Sequence, residues 1–77
     1  MSTADDHRLE KHSVAIAGHR TSITLESAFW RALKSIAKDR NQSISDLVAE
    51  IDRARGEMDP PPNLSSALRV FVLMQRG

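Results

Sequence analysis

Three polar residues at alternate positions, Arg20, Ser22 and Thr24, have side chains suited to recognising the edges of nucleic-acid bases. The guanidinium of Arg20 can donate hydrogen bonds to O6 and N7 of one guanine, and the two hydroxyls can donate or accept. A spacing of two places all three side chains on one face of an extended strand. The pattern therefore predicts a strand whose exposed face makes base contacts; the alternative is a solvated face with incidental polar residues.

The strand that carries these side chains is predicted over about residues 12–25, where β-branched residues are frequent and apolar positions alternate with polar ones. Val14 and Ile16 have the wrong parity for the inward face that Ile23 and Leu25 define. A bulge at Gly18 would resolve this conflict by shifting the strand one residue. Alternatively, Gly18 ends the strand and the residues before it pack elsewhere.

Three helices are predicted after the strand, over about residues 27–40, 44–55 and 63–75, because apolar residues recur there at intervals of three and four. Ser43 and Asp46 have the spacing of a capping box, and Asn63 is a candidate N-cap. The prolines in the 56–62 segment cannot continue a helix, so this segment is predicted to be a linker. Residues 1–11 are polar without a period, which indicates a flexible arm before a domain over residues 12–77.

The length of 77 residues allows one domain, and chains of this size usually need a disulfide, a metal or a second subunit for stability. There is no cysteine, no signal peptide and no long apolar segment, so a cytoplasmic protein without membrane contact is expected.

The fold class expected is mainly α with one β-strand. A lone strand leaves backbone groups unpaired, which favours an intertwined homodimer with an intermolecular antiparallel ribbon. A domain-swapped hairpin or a strand from a partner protein would satisfy the same groups. The residues expected in the dimer core are Thr21, Ile23, Leu25, Phe29, Leu33, Leu47, Val48 and Ile51.

The net charge of +1 is too small to indicate nucleic acid by itself, but basic residues outnumber acidic ones between His7 and Arg40. Two features of the chain could contact phosphates. The amides of Ser43, Ile44 and Ser45 would open the second helix, where an anion is favoured, although Ser43 could simply cap it. Arg8 and Lys11 could follow the DNA backbone, although a solubilising tail is the alternative.

Enzyme chemistry has little support in this sequence. His7, His12 and His19 have no neighbouring acid placed to complete a metal set, and no phosphate loop or nucleophile motif is present. No catalytic residue, metal or cofactor is therefore expected. Trp30, next to Phe29, is more typical of a core or an interface than of base stacking.

The order of strand, helix, turn and a second helix opened by Ser43-Ile44-Ser45-Asp46 resembles the ribbon-helix-helix repressors of the Arc/MetJ class over about residues 20–51. More closely, the runs 16–23 and 63–69 resemble a group of short, largely uncharacterised bacterial proteins assigned to that class. The resemblance implies a bacterial homodimer that reads double-stranded DNA with its ribbon as a transcriptional repressor or autoregulator, nucleoid-associated when bound.

The third helix and the linker before it depart from the usual pattern. They leave open higher-order assembly, or an antitoxin-like adaptor that binds a protein partner through residues 59–77. A protein-interaction module that keeps the dimer but has lost DNA binding is a further alternative.

Overall fold

The computed structural model describes residues 6–76, apart from the side chain of Arg76. Two antiparallel strands, β1 (Leu9–Ile16) and β2 (His19–Glu26), precede three helices. The helices are α1 (Ser27–Asp39), α2 (Ile44–Gly56) and α3 (Leu64–Arg76). No helix within residues 6–76 combines the length and the apolar character needed to cross a membrane.

The expectation of a single strand is wrong, because Ala17 and Gly18 form a tight turn that folds the segment into a hairpin. Both residues have positive φ, 50° and 82°, and a hairpin turn of the I′ type requires this at both central positions. Ile16 and His19 are paired on either side of the turn, so the strands are in register up to Leu9 and Glu26. The partner strand therefore comes from the same chain, and the backbone argument for an intermolecular ribbon no longer holds.

The hairpin also resolves the parity conflict of Val14 and Ile16. Neither sequence alternative is right as stated: the chain turns at Ala17 and Gly18 without a bulge, and the residues before the turn pair with β2 instead of packing elsewhere. Val14 pairs with Thr21 and Ile16 pairs with His19, and directly paired residues share a face of the ribbon. Even positions of β1 therefore face the same way as odd positions of β2, and both apolar residues enter the core that Ile23 and Leu25 also enter.

The last residues of the segment predicted to be a flexible arm are part of the folded domain. Leu9 and Lys11 belong to β1. The carbonyl of Arg8 accepts hydrogen bonds from the amide of Ser27 at 2.7 Å and from its Oγ at 3.1 Å, which ties the start of the hairpin to the start of α1. The first five residues of the expected arm lie outside the described residues.

The helices cover one face of the hairpin and close a single core. Leu25, Leu33, Leu47, Val48 and Leu68 are fully buried in it. Seven of the eight residues expected in a core between two subunits belong to this core or pack against it within one chain: Ile23, Leu25, Phe29, Leu33, Leu47, Val48 and Ile51. Phe29 is only partly buried, and the eighth residue, Thr21, is partly buried in β2.

Both predicted N-caps are confirmed. The Oγ of Ser43 accepts from the amide of Asp46 at 3.0 Å, and the Oδ1 of Asn63 accepts from the amide of Ser66 at 2.8 Å. Each bond satisfies one of the amides that the first turn of a helix leaves without an internal partner. Residues 57–63, which include the three prolines, join α2 to α3.

Candidate nucleic-acid interface

The face of the hairpin turned away from the helices is polar and exposed. We call it the ribbon face and define it by six exposed residues, three from each strand: Lys11, Ser13, Ala15, Arg20, Ser22 and Thr24. The three predicted base-contact residues therefore do lie together on one exposed face. The structure adds a second row of side chains from β1 beside them.

Cross-strand pairing fixes how these side chains are placed. Ala15 lies opposite Arg20, Ser13 opposite Ser22, and Lys11 opposite Thr24. The small side chain opposite Arg20 leaves room for its guanidinium, which reaches along the ribbon and donates one hydrogen bond to the Oγ of Ser13 at 3.3 Å. A guanidinium has five N–H donors, so this bond orients Arg20 and leaves donors for a ligand.

The charge on the ribbon face is positive. Lys11 and Arg20 lie near its two ends, and the carboxylate that follows on the same side of β2, Glu26, is paired with Arg69 of α3 at 2.9 Å. The pKa of Glu26 is lowered, first by a hydrogen bond to its own backbone amide and then by Arg69. Glu26 is therefore ionised and its charge is compensated by Arg69 rather than by the two cations of the ribbon face.

Beneath the ribbon, a polar cluster joins β1 to α1. One carboxylate oxygen of Glu10 lies 3.1 Å from Nε2 of His12, and the other accepts from the Oγ of Ser27 at 2.9 Å. Nε1 of buried Trp30 donates to the carbonyl of Glu10 at 2.9 Å, and the rings of His12 and Trp30 stack with centroids 4.2 Å apart. The pKa of Glu10 is lowered, first by its hydrogen bond with His12 and then by that with Ser27. These contacts join β1 to the first turn of α1.

The residues predicted to contact phosphates fall into two places. Ser43 is exposed at the start of α2, where its hydroxyl caps the helix, and Ile44 and Ser45 are partly buried. Asp46 adds a negative charge in the first turn, which offsets part of the attraction of this terminus for an anion. Lys11 is on the ribbon face itself, and Arg8 is exposed just before β1.

Ser13 and Ala15 are members of the exposed face that the sequence pattern did not predict. In the structure, exposed and more buried positions alternate through β1 much as they do through β2, but only Val14 and Ile16 mark the inward positions of β1 by residue type. The alternation of β1 is hidden in the sequence because its other two inward positions, Glu10 and His12, are polar. Their partners, Ser27 and Trp30, are distant in sequence, so a local pattern does not reveal that these side chains are satisfied inside.

The two-stranded antiparallel ribbon and the helices that cover one of its faces are consistent with the ribbon-helix-helix fold. The chain belongs to this family, since the model of the ribbon-helix-helix domain matches residues 9–75. Members of the family generally bind DNA, typically as dimers, and the fold is not typically enzymatic.

Among solved structures, the chain is similar to an uncharacterized protein from Bordetella pertussis Tohama I. The TM-score is 0.80 with 26% sequence identity, and the match covers 97% of this chain and 61% of that one. The present chain thus spans less than two thirds of the length of the Bordetella protein. No curated protein matches the chain.

Proposed function

We propose that this chain is a sequence-specific DNA-binding transcriptional regulator, a repressor or autoregulator, which reads the major groove with its ribbon face. The observation that supports this most is the contrast within the hairpin. One face of the hairpin packs in the core, whereas the other exposes hydroxyls and two cations that make no contact with the core. A surface of hydrogen-bonding groups and positive charge, projecting on a narrow ribbon, suits base edges flanked by phosphates.

The dimensions of the ribbon support this proposal. Two strands lie about 5 Å apart, and the major groove is about 12 Å wide, so the groove admits a two-stranded ribbon with its side chains. Arg20, Ser22 and Thr24 are the proposed base contacts, joined by Ser13 from β1. At about 3.3 Å per residue, Lys11 and Arg20 are separated by roughly 13 Å along the ribbon, so they reach different base pairs or phosphates.

The phosphate contacts are proposed to flank the ribbon. Lys11 and Arg8 are exposed at the end of the hairpin distant from the turn, and the amides of Ser43, Ile44 and Ser45 are at the start of α2. These groups would fix the orientation of the protein and contribute salt-dependent affinity, because each neutralised phosphate releases counterions.

The regulator is proposed to act as a homodimer in the bacterial cytoplasm, associated with the nucleoid when bound. Each chain contributes a whole hairpin, so two copies would place two ribbons on the halves of a short palindromic site, as two-fold symmetry requires.

The decisive test compares two cation-removing variants on one operator. The operator is first selected from random duplexes with the full chain, and affinities are then measured by fluorescence anisotropy. Arg20→Ala should weaken specific binding roughly 5- to 150-fold, equivalent to the loss of about 1 to 3 kcal/mol for a bidentate guanine contact. Lys34→Ala, which removes an exposed charge from α1, is the matched control and should have little effect.

Specificity and charge can be separated in the same assay. Arg20→Ala should lose discrimination between operator and random DNA, whereas Lys11→Ala should weaken both and reduce the salt dependence. Unchanged operator affinity of Arg20→Ala would show that the ribbon face is not the DNA-reading surface.

A second candidate is an antitoxin-like adaptor whose C-terminal part binds a protein partner. It is favoured by the exposed apolar side chains of α3, which contact with DNA does not require. Negligible affinity for random DNA at low salt would support a protein-interaction module in place of the regulator.

A further inference from the structure

An open apolar groove of about 660 Å³ runs between α2 and α3, on a part of the chain that the ribbon face does not use. Its volume is within the range of sites that bind small molecules, about 300 to 1,000 Å³. Three of the side chains that line it are strongly exposed, Met58 by 53%, Val70 by 56% and Met74 by 75%. The groove is therefore a concave surface whose apolar lining stays in contact with solvent.

Apolar side chains line the groove on both sides. Ile51 and Ala54 belong to α2, and Ala67, Val70 and Phe71 belong to α3. A hydrocarbon chain that enters this groove leaves water together with the apolar side chains that it covers, which is favourable in proportion to the apolar area removed. The lining therefore suits a ligand with an apolar body, and it offers few hydrogen-bonding groups to a sugar or a nucleobase.

Three charged residues also line the groove, and two of them are already paired within the chain. Glu50 accepts a hydrogen bond from Nε2 of Gln42 at 3.2 Å and lies 3.7 Å from Nη1 of Arg40. Arg55 forms an ion pair with Asp52 at 2.6 Å. A ligand would gain little from either Glu50 or Arg55, because its contact would compete with one that the fold already makes.

The third charged residue, Arg53, is exposed at the groove. Within residues 6–76, no carboxylate forms an ion pair with it. Glu57, four positions further on, is exposed and does not line the groove. An apolar surface thus has one uncompensated guanidinium beside it, and the planar fork of a guanidinium matches a carboxylate with two parallel hydrogen bonds.

We propose that the apolar groove is a binding site for a small amphiphilic carboxylate, with its hydrocarbon chain between α2 and α3 and its carboxylate on the guanidinium of Arg53. Charge complementarity selects this class of ligand, since the lining accepts the chain and the one unpaired cation accepts the anionic head group. Fatty acids and arylalkyl carboxylates have this chemistry. The site goes beyond the proposed function and does not depend on it, because no residue of the ribbon face contributes to the groove.

Methionine methyl groups give a readout that is specific for this site, because Met58 and Met74 both line the groove. The full chain is labelled with ¹³C at its methionine methyls, and each signal is assigned by a Met→Leu substitution. Decanoate, titrated below the concentration at which it forms micelles, should shift both groove signals and reach saturation. Decyltrimethylammonium has the same chain and a cationic head group, and it should bind at least about fivefold more weakly.

Reversing the charge at Arg53 tests the class of ligand. Arg53→Gln should weaken decanoate binding at least about fivefold, and Arg53→Glu should bind decyltrimethylammonium more tightly than decanoate. Lys34→Gln removes an exposed cation from α1, outside the groove, and should bind decanoate as the native chain does. If the native chain bound the two amphiphiles equally well, the assigned role of Arg53 would be wrong and the carboxylate class would be withdrawn.

Two neighbouring positions of α3 test the location of the site. Val70 lines the groove and Leu73 does not, although both are apolar and strongly exposed. Val70→Glu should abolish decanoate binding, whereas Leu73→Glu should retain it, and far-UV circular dichroism establishes that both variants keep their helices. Binding by Val70→Glu at native affinity would overturn the proposal. Methyl signals of Met58 and Met74 that stay unchanged up to about 1 mM decanoate would also overturn it, and the groove would then be left to a protein partner.

Discussion

The two faces of the hairpin are built from the same two strands and differ in what the rest of the molecule requires of them. The inner face holds Val14, Ile16, Ile23 and Leu25, all buried against the helices. The outer face, with Lys11 and Arg20, is exposed and depends on the backbone ladder for its position. Because ladder hydrogen bonds do not involve side chains, the outer face can change its chemistry without changing the fold. This separation leaves the outer face available for the recognition role proposed for it.

The largest expected effect comes from the inner face. Leu25 is fully buried, so Leu25→Ala should lower the free energy of unfolding by about 2 to 5 kcal/mol, the sum of lost burial and the cavity left behind. Its neighbour Thr24 is exposed on the ribbon face, and Thr24→Ala should change stability by less than about 0.5 kcal/mol. Urea denaturation of the two variants gives both values. Similar losses for both would show that the two faces are not independent.

The turn that separates the strands should give an intermediate effect. Gly18 has φ of 82°, and a Cβ added there would meet no atom within 4 Å, so any cost of Gly18→Ala arises from the backbone conformation alone. That cost is about 1 kcal/mol, as expected for a side chain in the left-handed region. Ala17 also has positive φ, and Ala17→Asn should be stabilising, because Asn tolerates this conformation better than Ala does. Thermal unfolding measures both, and equal shifts of one sign would contradict the assigned turn.

The smallest expected effect is the dependence of stability on pH from the cluster beneath the ribbon. The hydrogen bonds from His12 and Ser27 hold the pKa of Glu10 below its ordinary value. A carboxyl with a lowered folded-state pKa contributes stability that is present above its unfolded pKa and is lost as the pH falls through the folded value. Glu10→Gln should therefore destabilise the protein near neutrality and make little difference in acid.

Thermal unfolding of the native chain and Glu10→Gln across the acidic range measures this dependence. Glu57→Gln, which removes an exposed carboxylate from the segment after α2, is the control and should leave the profile unchanged. A constant difference between the native chain and Glu10→Gln at every pH would show that Glu10 acts through packing rather than through its charge.

The sequence by itself determined the features that depend on neighbouring residues. The helices follow from apolar periodicity, and their starts at Ser43 and Asn63 follow from capping, which involves residues three apart. The exposed row Arg20, Ser22 and Thr24 follows from alternation along a single strand. Each of these features is local, so a local pattern records it.

Tertiary structure alone decided the features that join distant parts of the chain. The Ala17-Gly18 turn lacks the Asn-Gly or Asp-Gly signal of a tight hairpin, and the inward Glu10 and His12 conceal the alternation of β1 until Ser27 and Trp30 are in place. Trp30 is buried, whereas Phe29 is only partly buried. The contacts of Trp30 with Glu10 and His12 set the rotation of α1 about its own axis, and this rotation decides which of the two rings is inside. The apolar groove between α2 and α3 forms because these two helices, which are separated in sequence by the proline-containing segment, pack side by side. Pairing energies between remote residues select these arrangements, and sequence spacing does not encode them.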